Sequence, residues 1–218
     1  MRPAPATLWR RPGCVGVVGV VAVAWAACAG FAEARATADA ATPPVDGALA
    51  GEASQLDSVA LRDDTGRAVR LRELLARARF TVLVFGSTRC HCFVAHRRVL
   101  EELAGRFGAR SVGFVIVDAE PPAPDEPGRH DGLALSGTER FDDDHARLAR
   151  ALGVTYASEA VVVSAAGAIV YRGGIDSART AVGPTAVPYL RRALEQALAG
   201  DRPAPARTKA LGCALRRW

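Results

Sequence analysis

The chain has 218 residues, half of them hydrophobic, with a formal charge of +5. Four arginines and one acid of that balance lie in residues 1–36, so the remainder carries only +2, with Lys209 as its one lysine. Such a remainder is long enough to bury one sizeable core and is not a nucleic-acid-binding surface.

Residues 1–36 read as a targeting segment. Arg10 and Arg11 precede an apolar stretch from Cys14 to Phe31, and Ala34-Arg35-Ala36 offers a small-x-small cleavage site. A cleaved signal peptide and an uncleaved membrane anchor both fit. Either puts the rest of the chain on the outer side of the membrane, in an oxidising compartment. Residues 37–54 are rich in Ala, Pro and Gly without periodicity and read as a flexible linker. The main domain is expected over 55–200.

Leu56–Leu61 and Ala68–Leu71, around a turn at Asp63–Gly66, read as a β-hairpin, followed by a helical turn or two over Arg72–Arg77. Phe80–Phe85 is a continuous apolar run ending at Gly86, the pattern of a strand buried on both faces. A helix is expected from about Cys92 to Phe107, then a strand over Val112–Val117, which makes a parallel pair with a right-handed crossover. Four prolines break Glu120–Thr138, a solvated loop or a lid beside the site. Asp142, Asp143 and Asp144 suit the cap and first turn of a helix over His145–Leu152. A second hairpin follows, Val161–Ser164 with Ile169–Tyr171, then a last helix over Ala186–Leu198. Residues 201–218 form a Pro-broken tail carrying Gly212-Cys213.

The chemistry concentrates where the central strand meets its helix, at Ser87-Thr88-Arg89-Cys90-His91-Cys92. Unpaired N–H groups and the helix dipole favour a thiolate there, and Arg89, Arg97 and Arg98 add positive charge nearby. Cys90 is the expected nucleophile. Cys92 is close, but two residues apart on a helix their Cβ atoms diverge, so a bridge would require the first turn to unwind. Cys213 is the other possible partner. With Cys14 and Cys28 removed by cleavage, these three cysteines remain, and an odd count leaves a free thiol.

Strand, short turn, cysteine at a helix start, helix and strand resemble the thioredoxin-like superfamily, and within it the redoxin-type, membrane-associated thiol–disulfide proteins of bacteria. The resemblance runs from about Leu56 to Cys213. It implies an α/β thioredoxin-like fold, a central mixed sheet flanked by helices. It also implies exchange with protein thiols and disulfides of the cell envelope, on the periplasmic side, without a cofactor. Phe85 and Cys90 match the Phe and the attacking cysteine of the family pattern. The second family cysteine falls on Phe93, and Cys92 stands one position early, so CxxC becomes CxC. Related redoxins often end in a similar Gly-Cys, which favours Cys213 as the resolving partner. The family's cis-proline position falls on Ser158, between Ala157 and Glu159. No proline occurs between Pro127 and Pro184, so no cis bond is expected there. The resemblance assigns Thr88, Arg89, Ser158 and Glu159 to the substrate-facing loops. Tyr171–Asp176 matches a further stretch of these redoxins, with Arg172 and Asp176 either closing the site or pairing on the surface.

Two other functions are weighed. Cys90, His91, Cys92 and His96 are soft ligands in a short span, and Cys92 and His96 share a helix face, a set that suits Cu(I) or Zn, with copper delivery as the function. As an isolated residue, however, His96 reads as an exposed helix position. A peroxidase ranks lowest, because Thr88 and Cys90 are separated by one residue and the family's proline is missing.

Overall fold

The computed structural model describes residues 56, 58–121 and 129–216. The expected signal segment and linker, part of the Pro-rich loop and Trp218 lie outside the described residues.

Strand β3 (Phe80–Phe85) is buried at every position. Alternation sends Val82 and Val84 to one face and Leu83 and Phe85 to the other. On the first face they meet Phe114 and Ile116 of β4 (Val112–Asp118) and Val162 of β6 (Glu159–Ser164). On the second they meet Val115, Val117, Val161 and Val163. The run, apolar but for Thr81, therefore gives one strand whose two faces each serve a separate core.

β3 pairs parallel with β4 and antiparallel with β6, and β6 pairs antiparallel with β7 (Ile169–Gly174). On the other side β4 pairs parallel with β5 (Glu139–Asp142), which meets the hairpin β1 (Ala60–Arg62) and β2 (Ala68–Arg70). The order among the described residues is β2-β1-β5-β4-β3-β6-β7. Helix α1 (Leu71–Leu75) follows the hairpin. The long helix α2 (His91–Gly108) covers the first face with Phe93, Leu100, Leu103, Ala104 and Phe107, a stripe at helical spacing.

Between β4 and β6 the chain departs from expectation. A short helix α3 (Arg129–Leu133) lies within what reads as loop, and the strand β5 follows directly after that loop, where no element is expected. The three aspartates do open a helical segment, a 3-10 turn over Asp144–Ala146 and then α4 (Arg147–Ala151). Asp143 accepts from the N–H groups of Leu148 and Ala149 at 2.9 and 2.8 Å. Helix α5 (Tyr189–Ala199) closes the first face with Leu190 and Leu194, and it ends at Gly200 with φ +91°.

The tail does not leave the domain. It first runs beside β7: Arg172 N–H donates to Ala206 O and Thr208 N–H to Arg172 O, at 2.9 and 3.0 Å. Thr208 Oγ1 meets the Tyr171 hydroxyl at 2.6 Å and accepts from Gly174 N–H. The tail then crosses to the loop before β6. Ala157 N–H donates to Cys213 O, and Leu215 N–H donates to Thr155 O, both at 2.9 Å. Tyr156 and Ala214 form an antiparallel bridge.

Candidate functional site

The tail delivers Cys213 to the end of β3. The sulfurs of Cys90, Cys92 and Cys213 all lie within 4.8 Å of one another, and none is bonded to another. Cys90 and Cys92 are buried at 1% and 2% exposure, while Cys213 is half-buried. The backbone explains how Cys90 and Cys92 face each other. Cys90 is not in the helix: it is the N-cap, with extended φ −85° and ψ 107°. Its Cβ therefore escapes the divergence expected of two residues inside one helix, and no turn must unwind to bring the sulfurs close.

Cys213 N–H donates to Cys90 Sγ at 3.2 Å. Burial alone would push the Cys90 thiol up. The Cys213 thiol and the N–H groups of Phe93, Cys213 and Cys92, all donating to that sulfur, outweigh burial and hold Cys90 below the ordinary thiol value. Cys213 moves the other way. Burial, its bond to Cys90 and the neighbouring sulfur charges push it up to about 11. The pair is one acidic and one reluctant thiol, with the proton on Cys213. The cationic flank contributes little. Arg97 turns to Ala134 O at 3.4 Å, Arg98 pairs with Glu102 at 3.0 Å, and Arg89 lies 3.9 Å from Glu120. Acidity at Cys90 comes from hydrogen bonds, not from arginine charge.

Gly212 is what lets the tail approach. A Cβ there would lie 1.6 Å from Ala157 O, so any side chain would unseat Cys213. Beyond Cys213, Arg216 N–H donates to Glu120 Oε1 at 3.0 Å, and Glu120 Oε2 accepts from Ser87 Oγ at 3.0 Å. Glu120 is buried and joins the tail to the turn carrying Thr88 and Arg89. Nothing local in the sequence marks it out.

The two residues assigned to the loop opposite have separate roles. Ser158 takes φ +67° and donates its N–H to Phe85 O at 2.8 Å, which pins the loop to the end of β3. No cis bond occurs there; among the described residues the one cis peptide is Ala204–Pro205. Ser158 Oγ is buried without a hydrogen-bond partner. Glu159 is the first residue of β6, and its carboxylate takes Arg172 Nε at 2.7 Å. Arg172 also donates to Leu152 O and Gly153 O. Glu159 and Arg172 are thus held in an ion pair that fixes the β6–β7 end to the α4 loop.

His96 is not the exposed helix residue its sequence position suggests. It is 2% exposed, with Nδ1 2.6 Å from Cys92 O and Nε2 2.9 Å from Asp176 Oδ1. Asp176 Oδ1 also accepts from Ala178 N–H. Both ring nitrogens face oxygen, so His96 steadies the first turn of α2 through its carbonyl and has no nitrogen to offer the sulfurs. His91 is exposed and does not join the sulfur cluster. The expected Cys-His-Cys-His set is therefore not assembled, and Cys213 takes the place of the histidines.

No protein-family model and no curated protein matches the sequence. Solved structures do match the fold. A hypothetical protein from Sinorhizobium meliloti aligns over 73% of this chain and 90% of its own, at 22% identity and TM-score 0.63. An uncharacterised conserved protein from Geobacillus kaustophilus aligns over 73% and 88%, with the same identity and TM-score. A thioredoxin-like protein from Aeropyrum pernix aligns over 57% and 88%, at 17% identity and TM-score 0.46. The fold shared with the first two is an open mixed sheet with flanking helices, and its β4-β3-β6-β7 core, β3 parallel to β4 and antiparallel to β6, has the thioredoxin-like arrangement expected from the sequence.

Proposed function

We propose that this chain is an extracytoplasmic thiol–disulfide oxidoreductase in which Cys90 is the nucleophile and Cys213 the resolving cysteine. The carrying observation is the contact of Cys213 with Cys90: the N–H of the partner on the sulfur, with the three sulfurs within 4.8 Å. Cys90 thiolate attacks one sulfur of a substrate disulfide, and the other sulfur leaves as a thiolate. Cys213, giving its proton to that thiolate or to water, then attacks Cys90 Sγ. The second substrate thiol departs, and a Cys90–Cys213 disulfide remains. Two electrons have passed to the substrate; the reverse sequence oxidises a dithiol. The burial of Cys90 supports a requirement that the tail lift before a protein disulfide can enter. The substrates proposed are protein thiols and disulfides of the cell envelope. The N-terminal segment would bring the domain there, either cleaved or retained as a membrane anchor.

The test is trapping. Cys213→Ser should accumulate a mixed disulfide on Cys90 when mixed with a disulfide-bonded protein, and Cys90→Ser should accumulate none. Equal turnover of wild type and Cys90→Ser would overturn the reading.

A further inference from the structure

We infer that Cys90, Cys92 and Cys213, when all are reduced, form a three-thiolate site for Cu(I). The sulfurs come from two segments more than a hundred residues apart, yet all lie within 4.8 Å of one another. A metal at about 2.3 Å from each of three sulfurs in a plane needs them about 4.0 Å apart. Closing the cluster onto an ion therefore requires a contraction of less than about 1 Å at its widest edge. One of the three sulfurs rides on the tail, which is docked mainly by backbone hydrogen bonds and can make that adjustment.

The ligand count selects the metal. Zinc sites in proteins almost always complete four ligands, with nitrogen or oxygen available to do so. Here the buried imidazole and carboxylate on the adjoining segments are engaged elsewhere. His96 faces Cys92 O and Asp176 with its two nitrogens. Glu120 holds Ser87 and Arg216. Cys90 and Cys92 are 1% and 2% exposed, so water can approach the cluster only from the side of half-buried Cys213. An all-sulfur, three-coordinate, largely buried site is soft and suits Cu(I). The charge gathered there faces the N-terminal end of an 18-residue helix and the Cys213 N–H. Binding releases thiol protons to solvent and transfers no electron, since the copper arrives and stays as Cu(I). A disulfide between any two of the three cysteines removes the site, so metal binding and the oxidised state exclude each other.

The test titrates the reduced full chain with Cu(I), without oxygen, in competition with bicinchoninate, and takes X-ray absorption spectra of the product. One Cu(I) per chain with three sulfur neighbours and no nitrogen is expected. Cys92→Ser and Cys213→Ser should each weaken binding by more than about 100-fold, beyond the usual loss from changing an outer partner of a ligand. Gly212→Ala keeps all three sulfurs but unseats the tail, and it should weaken binding comparably. His91→Ala should leave affinity within about threefold of wild type. A nitrogen neighbour, a Cys213→Ser variant with wild-type affinity, or displacement of Cu(I) by equimolar Zn(II) would overturn the proposal. Disulfide exchange measured on the same metal-free samples is a separate readout, so the two proposals can fail independently.

Discussion

Replacing Gly212 by alanine tests the docking of the tail without touching a sulfur. The added Cβ would sit 1.6 Å from Ala157 O, so the segment around Cys213 must leave. Four hydrogen bonds go with it: Cys213 N–H to Cys90 Sγ, Ala157 N–H to Cys213 O, Leu215 N–H to Thr155 O and Arg216 N–H to Glu120. At about 1 kcal/mol each they contribute about 4 kcal/mol to holding the segment, roughly a thousandfold on the closed state. The thiols give a second measure. Docked Cys213 is pushed up to about 11. Released, it returns to about 8.5, which raises its thiolate fraction near neutral pH by roughly two orders of magnitude. Iodoacetamide labelling of the reduced protein at pH 7.5, read peptide by peptide in a mass spectrometer, should therefore show Cys213 alkylated about 100-fold faster in Gly212→Ala. The alkylation midpoint of Cys90 should rise in the same variant, because it loses the donors of Cys213. The domain itself should stay folded, since the segment adds only the partly buried Cys213 and Leu215 to the edges of the two cores. A Cys213 rate within twofold of wild type, with the fold intact, would refute the account of the tail.

The Cys90 alkylation rate in wild type should rise with pH through a midpoint below the ordinary thiol value; a midpoint at or above it would mean that burial prevails over the hydrogen bonds. Cys213 has the opposite sign: its protonated form is favoured in the fold, so its contribution to stability is complete below the ordinary thiol value and lost as pH rises through about 11. Thermal melts from pH 8 to 11 should show that loss in wild type and not in Cys213→Ser. Ser158→Pro should destabilise the fold by roughly 2–3 kcal/mol, because proline cannot take φ +67° and removes the N–H given to Phe85 O; Ser158→Gly should stabilise it by about 1 kcal/mol, both by denaturant titration. His96→Leu leaves the buried Asp176 without its partner and should cost roughly 3 kcal/mol or more in the same titration, whereas an exposed His96 would cost almost nothing.

What the sequence discloses follows from where the determining contacts lie. The run Phe80–Phe85 carries no charge and only Thr81 as a polar residue because both faces of β3 are covered, and α2 shows its periodicity because it packs on one face only. Both can be read locally. β5 cannot: Glu139 and Arg140 belong to a strand whose charges are met by Arg77 and Asp64 from elsewhere and by Asp142 within it, and only Phe141 is buried. The burial of His96 depends on Asp176, eighty residues on. The position of the acidic cysteine is legible from the change of period at Cys90, but the source of its acidity is not, since nearby arginines in the sequence turn toward other partners. Gly212-Cys213 points to a returning tail; the steric reason for that glycine, the carbonyl of Ala157, appears only in three dimensions.

The central claim is that Cys213 is the internal partner of Cys90, and peptide mapping measures this directly. The reduced chain is treated with one equivalent of oxidant, blocked with an alkylating agent in acid, digested and analysed without reduction. The account predicts a Cys90–Cys213 cross-link, with Cys92 recovered alkylated. A Cys90–Cys92 bond with Cys213 alkylated would contradict it.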